Sequence, residues 1–200
     1  MAADPMSFSL SLGANRLPYE VPLHPLLVHL TLGLFITAIV FDIAASLFPL
    51  EQPVLKFFRL IAIREGFSDV GWYNLLASAC ISFFTVTAGV FEILLADPPK
   101  DVTSPWGLSA ASTMLIHGVG GVVILTLIVM MTVWRGLSRY RWREVQSHEV
   151  PWSYLFVGVL MLILLYLHGT LGAQLGDVFG IHNTMVHLLR NGMDPDITLP

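Results

Sequence analysis

The sequence predicts an all-α integral membrane protein: a four-helix bundle with a short interfacial helix, N-out and C-out. Three observations lead there. Only 12% of the 200 residues are charged while 55% are hydrophobic, and mean hydropathy is +0.73; a soluble domain carries about 25% charged residues. Four separate stretches reach the roughly 20 predominantly apolar residues that cross about 30 Å of hydrocarbon. Lys and Arg are unevenly shared between the loops, as the positive-inside rule requires. The low charge argues against a disordered or nucleic-acid-binding chain. The single cysteine, Cys80, excludes an internal disulfide framework and a Cys-based zinc or iron–sulfur site.

Residues 1–24 read as an irregular polar arm, carrying Asp4, Pro5, Gly13, Arg16, Pro18, Glu20 and Pro22. They lack the basic start and unbroken apolar stretch of a signal peptide, so the first span is expected to be retained. That span is predicted over 25–48, closed by Pro49. From Pro53 to Arg64, Phe57, Phe58, Leu60, Ile61 and Ile63 alternate with Lys56, Arg59 and Arg64. This is too short and too basic to span, and predicts a helix lying on the interface. The second span is predicted over 72–96, before Asp97-Pro98-Pro99; the third over 113–134, closed by Arg135; the fourth over 154–175, entered through Pro151 and closed near Gly176. Pro at the ends and Gly after them are the expected punctuation. Residues 177–200 form a second outer tail.

The loops after the first and third spans hold Lys56, Arg59, Arg64, Arg135, Arg139, Arg141 and Arg143. The outer segments hold only Arg16, Lys100 and Arg190. Seven against three puts the two basic loops in the cytoplasm and both termini outside, in the periplasm for a bacterial inner membrane. Tyr140, Trp142 and Trp152 mark the cytoplasmic interface.

The depth of the histidines is the most informative feature. At 1.5 Å per helical residue, His29 and His117 lie about 5–6 Å below the outer boundary and His168 about 10 Å below it. Three histidines on three different spans thus share the outer third of the membrane. Ionisable residues in a span usually face the bundle interior or a pathway. Neutral imidazole suits haem iron, copper and zinc. Small residues stand beside these histidines: Gly33 one turn from His29, Gly118, Gly120 and Gly121 after His117, Gly169 and Gly172 after His168. They favour a flat slot for haem b, although small residues also serve ordinary helix packing in lipid. The axial pair is any two of His29, His117 and His168. His24, His182 and His187 are candidates for a second haem or for its propionates, so one or two haems are expected. No Cys-x-x-Cys-His is present, which excludes covalent haem.

Two acids lie within spans. Glu92 sits near the histidine level, placed to accept from a ligand imidazole as an outer-shell partner or to take a proton from a quinol. Asp42 lies toward the cytoplasmic end of the first span, away from the histidines in depth and in helical face, and is expected to pair with Arg64 or Arg135. No nucleophile motif, phosphate loop or paired-carboxylate spacing stands out.

The chain reads His24-Pro25-Leu26-Leu27-Val28-His29 at the start of its first span, with Asp42 further on, Thr87-Ala88-Gly89-Val90-Phe91-Glu92 in the second, Ile116-His117 in the third and Gly169-Thr170-Leu171-Gly172-Ala173 in the fourth. Over about residues 23–180 this succession resembles a bacterial family of four-helix membrane proteins known only as a domain of unknown function. Its members typically open with His-Pro-x-x-Val-His. Thr31, Glu92 and Ala173 depart from the proline, aspartate and glycine usual at those places, and His168, His182 and His187 lie outside the pattern. Some members look fused to Rieske-type iron–sulfur domains, so the resemblance implies a redox setting.

The expected function is that of a cytochrome b-like, non-catalytic electron-transfer subunit. It would hold haem b near the periplasmic face and serve other membrane and periplasmic subunits of a redox complex, with quinone as a candidate partner. Two alternatives stand beside it: a cofactor-free structural subunit anchoring a respiratory or photosynthetic complex, and a metal-binding or transport protein whose outer histidines take copper or zinc.

Overall fold

The computed structural model describes residues 12–13, 15–47, 53, 56, 64–141 and 150–194. Four long apolar helices, each long enough to cross a membrane, make up most of it: α1 (Leu23–Leu47), α2 (Arg64–Leu95), α3 (Ala110–Tyr140) and α4 (Trp152–Asp177). A short α5 (Thr184–Arg190) follows. Neighbouring helices in the sequence are neighbours in space, and α4 returns to α1. The bundle is therefore closed in the order α1, α2, α3, α4, with α1 diagonal to α3. The backbones of α1 and α2 run closest together, and the α1–α4 seam is the loosest of the four.

Local chemistry sets the helix ends. Pro25 sits in the first turn of α1, where its missing N–H is no loss. Ser109 caps α3 by accepting from the Ser112 N–H at 3.2 Å. After α4 the chain turns at Gly180, whose φ of +70° only glycine adopts cheaply, while the Ile181 N–H returns to the Leu175 carbonyl at 2.8 Å.

The helices outlast the predicted spans. α2 starts at Arg64 rather than near 72, and α3 runs to Tyr140 rather than to 134. Polar residues beyond the predicted spans continue the helices because they find partners there. Arg135 is fully buried and donates to Asp42 at 3.0 and 3.3 Å and to the Ser68 hydroxyl at 2.9 Å. Arg139 pairs with Asp69, and Arg64 donates to the Ala45 carbonyl at 3.0 Å. Of the two partners proposed for Asp42, the structure selects Arg135. Gly71 permits this junction, since a Cβ there would lie 2.4 Å from the Asp42 carboxylate. The predicted interfacial helix at 53–64 lies almost wholly outside the described residues.

Above this charged junction is a dry layer of Phe35, Ala38, Ile39, Leu75, Ile128 and Met131, all buried. Beyond the dry layer, toward the end that carries the start of α1 and the end of α4, lies the cavity.

Candidate functional site

The cavity measures about 400 Å³ and is lined by all four long helices. Its walls are mainly apolar, among them Val28, Leu32, Ile93, Ile124, Leu125 and Leu165, with His24, His29, His117, His168 and His182 also on its surface.

Three of these histidines form a row. The rings of His117 and His168 are stacked, with centroids 4.2 Å apart and planes 7° from parallel. His24 meets His117 edge to face, with centroids at 5.8 Å. Each ring rests on a glycine of another helix. A Cβ at Gly89 of α2 would stand 2.7 Å from His24 Nδ1, one at Gly120 of α3 2.9 Å from His168 Nδ1, and one at Gly172 of α4 2.9 Å from His117 Cε1. The glycines therefore make room for imidazoles rather than only for close helix contact.

Partners fix some of the ring nitrogens. His24 Nδ1 lies 2.9 Å from the Thr85 carbonyl, which can only accept; the N–H is therefore on Nδ1, and Nε2 keeps its lone pair. His117 is buried, and its Nδ1 has no hydrogen-bond partner among the described residues. His29 Nδ1 lies 2.6 Å from the Pro25 carbonyl of its own helix, so its Nε2 is likewise the free nitrogen.

The placement differs from the sequence expectation in four respects. His24, expected just outside the first span, belongs to the row, while His29 is exposed at the cavity's edge. The two are five residues apart, about 140° around the helix, so one facing inward turns the other away. Gly33 is exposed, with nothing within 4 Å of a Cβ built on it, and does not line the cavity; Gly121 does. Glu92 holds His24 by its backbone instead of by an imidazole. Its Oε1 accepts from the N–H groups of Leu23 at 2.7 Å and His24 at 3.0 Å and from the Tyr19 hydroxyl at 3.0 Å. It thus supplies, from α2, the cap that the start of α1 lacks, where a negative charge also meets the positive end of the helix dipole. Finally, His182 sits at the cavity's outer end with φ +54°, its Nδ1 2.9 Å from the Asn15 carbonyl and its Nε2 2.7 Å from the Glu92 carbonyl. It ties the N-terminal arm, α2 and the segment after α4 together. The side chain of His187 lies outside the described residues.

Tyr19 shows the cost of this junction: its phenol is pushed up to about 12, first by burial and then by its hydrogen bond to the Glu92 carboxylate and that group's charge. Among the described residues no three His, Cys, Asp or Glu side chains converge as a cage for a small metal ion.

Comparison with curated proteins and with solved structures found no match. Residues 20–185 match the model of a family described as predicted membrane protein (DUF2231). The match spans most of the 200 residues, and the chain belongs to that family of multi-pass membrane proteins of unknown function.

Proposed function

We propose that this membrane protein holds haem b in the histidine cavity and carries electrons within a larger redox complex of a bacterial inner membrane. The observation that carries the reading is the row of His24, His117 and His168, each ring seated on a glycine of another helix and opening on one apolar cavity of about 400 Å³. That volume is within the range of small-molecule and cofactor pockets.

The residues fit the group in three ways. The donor set is imidazole in apolar surroundings, the usual setting of low-spin haem. The buried Nδ1 of His117 lacks a partner. The cavity surface at Gly169 and Gly176 is open, with nothing within 4 Å of a Cβ at either. The best candidate pair is His24 with His117, on diagonal helices. His24 and His117 would hold the iron: their ring centroids stand 5.8 Å apart, whereas His117 and His168 are stacked face on face at 4.2 Å.

Haem b bound there supplies a one-electron couple at membrane depth. The chain's own residues do the rest. The Thr85 carbonyl orients His24 and leaves Nε2 as its donor atom. Glu92 fixes the backbone from which His24 projects. The dry layer of Phe35, Ile39, Leu75 and Ile128 keeps water of the opposite side out.

The test is a reduced-minus-oxidised visible spectrum of the purified chain with pyridine haemochrome quantitation. A sharp b-type band, lost in His24→Ala and in His117→Ala and kept in His29→Ala, supports the reading and the pair. A flat spectrum from folded protein overturns it in favour of a cofactor-free anchoring subunit.

A further inference from the structure

His29 is a polar group that the row does not use. It lies in the second turn of α1, exposed, on the edge of the cavity. An ionisable side chain exposed on a spanning helix is costly and calls for a partner. Facing it across the loosest seam of the bundle is α4, where Ala173 is also exposed and also lines the cavity. Residues that are exposed and line the cavity on both lips mean that the cavity opens sideways, between α1 and α4, into the bilayer.

We infer that this opening is a port for a lipid-soluble quinol whose hydroxyl donates a hydrogen bond to His29 Nε2. Three observations select that chemistry. The Pro25 carbonyl accepts from Nδ1 of His29, which leaves Nε2 as the ring nitrogen available to a ligand at the lip. Among the described residues no Lys or Arg lines the cavity, and Glu92 does, which disfavours a phosphate or carboxylate headgroup. The walls next to the lip are apolar or glycine, Leu32, Gly169 and Ala173, which suits a flat ring and a hydrocarbon tail. A neutral, flat, hydroxyl-bearing head on an apolar tail meets all three. As the source of electrons the quinol rests on the redox reading above; its binding does not.

The experiment uses the purified full-length chain in nanodiscs, titrated with a short-tailed ubiquinol and a short-tailed menaquinol under anaerobic conditions. Binding is read from intrinsic tryptophan fluorescence, and haem content is measured on the same preparation. Saturable binding of either quinol is expected. His29→Ala should weaken it roughly three- to tenfold, the value of one net hydrogen bond. Ala173→Trp, which narrows the seam and leaves His29 intact, should abolish it. Both variants should keep the wild-type elution volume; His29→Gln, which retains an acceptor, should bind nearly as well as wild type and guards against a folding defect in the alanine variant. Absence of binding, equal affinity in all variants, or displacement by dodecanol as effective as by quinone overturns the port. Quinol binding to a chain with a flat visible spectrum keeps the port and sinks the haem reading; a b-type spectrum without quinol binding does the reverse.

Discussion

Removing the carboxylate of Asp42 should unbalance the bundle far from the cavity. Asp42 is 0% and Arg135 2% exposed, and the guanidinium reaches the carboxylate at 3.0 and 3.3 Å. With charge centres about 4 Å apart and an effective dielectric of about 20, the attraction is worth about 4 kcal/mol. Asp42→Ala deletes it and leaves a buried cation with the Ser68 hydroxyl, at 2.9 Å, as its remaining hydrogen-bond partner among the described residues. Breaking such a pair from one side costs about 3–5 kcal/mol. For a chain of this length about 1 kcal/mol moves the thermal midpoint by roughly 2–4 °C, so the expected fall is roughly 6–20 °C in detergent. Arg135→Met should cost a similar amount, and the double variant should recover most of the loss, because an apolar pair of similar volume replaces a buried ion pair at little cost. Thermal unfolding followed by circular dichroism over the four-protein cycle gives the coupling energy. Additive losses, or an Asp42→Ala variant within about 1 kcal/mol of wild type, would refute the reasoning.

Gly89→Ala and Gly172→Ala should each destabilise by about 1–3 kcal/mol through overpacking against His24 and His117, whereas Gly33→Ala, with open space around it, should be neutral or mildly stabilising; thermal midpoints compare the three. Glu92→Ala leaves the Leu23 and His24 N–H groups and the Tyr19 hydroxyl without their acceptor, at about 1.5–3 kcal/mol for a charged cap, and should speed amide exchange at the start of α1; unchanged exchange there would argue against the cap. Because the Tyr19 phenol is pushed up to about 12, its neutral form contributes stability that is complete below the free value near 10 and lost as pH rises through about 12. The alkaline difference titration of wild type minus Tyr19→Phe at the tyrosinate band should therefore show one group ionising near 12.

The fold was legible because the bilayer imposes it: long apolar runs can only be helices there. The helix ends were less so. Asp69 and Arg139, and Asp42 and Arg135, are far apart in sequence, and only their pairing explains why α2 and α3 carry polar residues inside continuous helix. The site was half legible. Depth arithmetic put histidines of different helices on one level, and three of them do meet. Depth carries no azimuth, however, and the five-residue step between His24 and His29 reverses the face. The same step reversed their roles in the expected set. The glycines misled in a different way. Gly120 and Gly172 stand near His117 and His168 in the sequence, yet each serves the histidine of the other helix. Gly89 stood out within the Thr87–Glu92 stretch but has no histidine near it in sequence, so nothing there linked it to His24. Exchange of this kind follows from antiparallel packing, where a residue's nearest neighbours are at its own depth on another helix.

The two polar centres of the bundle differ in a way that bears on function. At the charged end Asp42, Arg135, Arg139 and Ser68 are all joined to one another or to Asp69, and the pairs neutralise each other. Such a network holds helices in register, although the Tyr154 hydroxyl beside Asp42 is itself buried without a hydrogen-bond partner among the described residues. At the histidine end the helices are held by other means, the Glu92 cap, the His182 bridge and the 2.8 Å contact of the Thr31 and Thr85 hydroxyls. The imidazoles themselves are left with open valence: Nε2 of His24 and His29 carries a lone pair, and His117 Nδ1 is buried without a partner. An unmet polar atom in an apolar interior costs about 1–3 kcal/mol, and His117 Nδ1 carries that cost while Gly172 makes room for its ring. Between the two centres lies the apolar layer of Phe35, Ala38, Ile39 and Leu75. The ionic junction on one side of it holds the helices by mutual pairing, whereas the histidine cavity on the other keeps acceptor nitrogens within reach of a ligand.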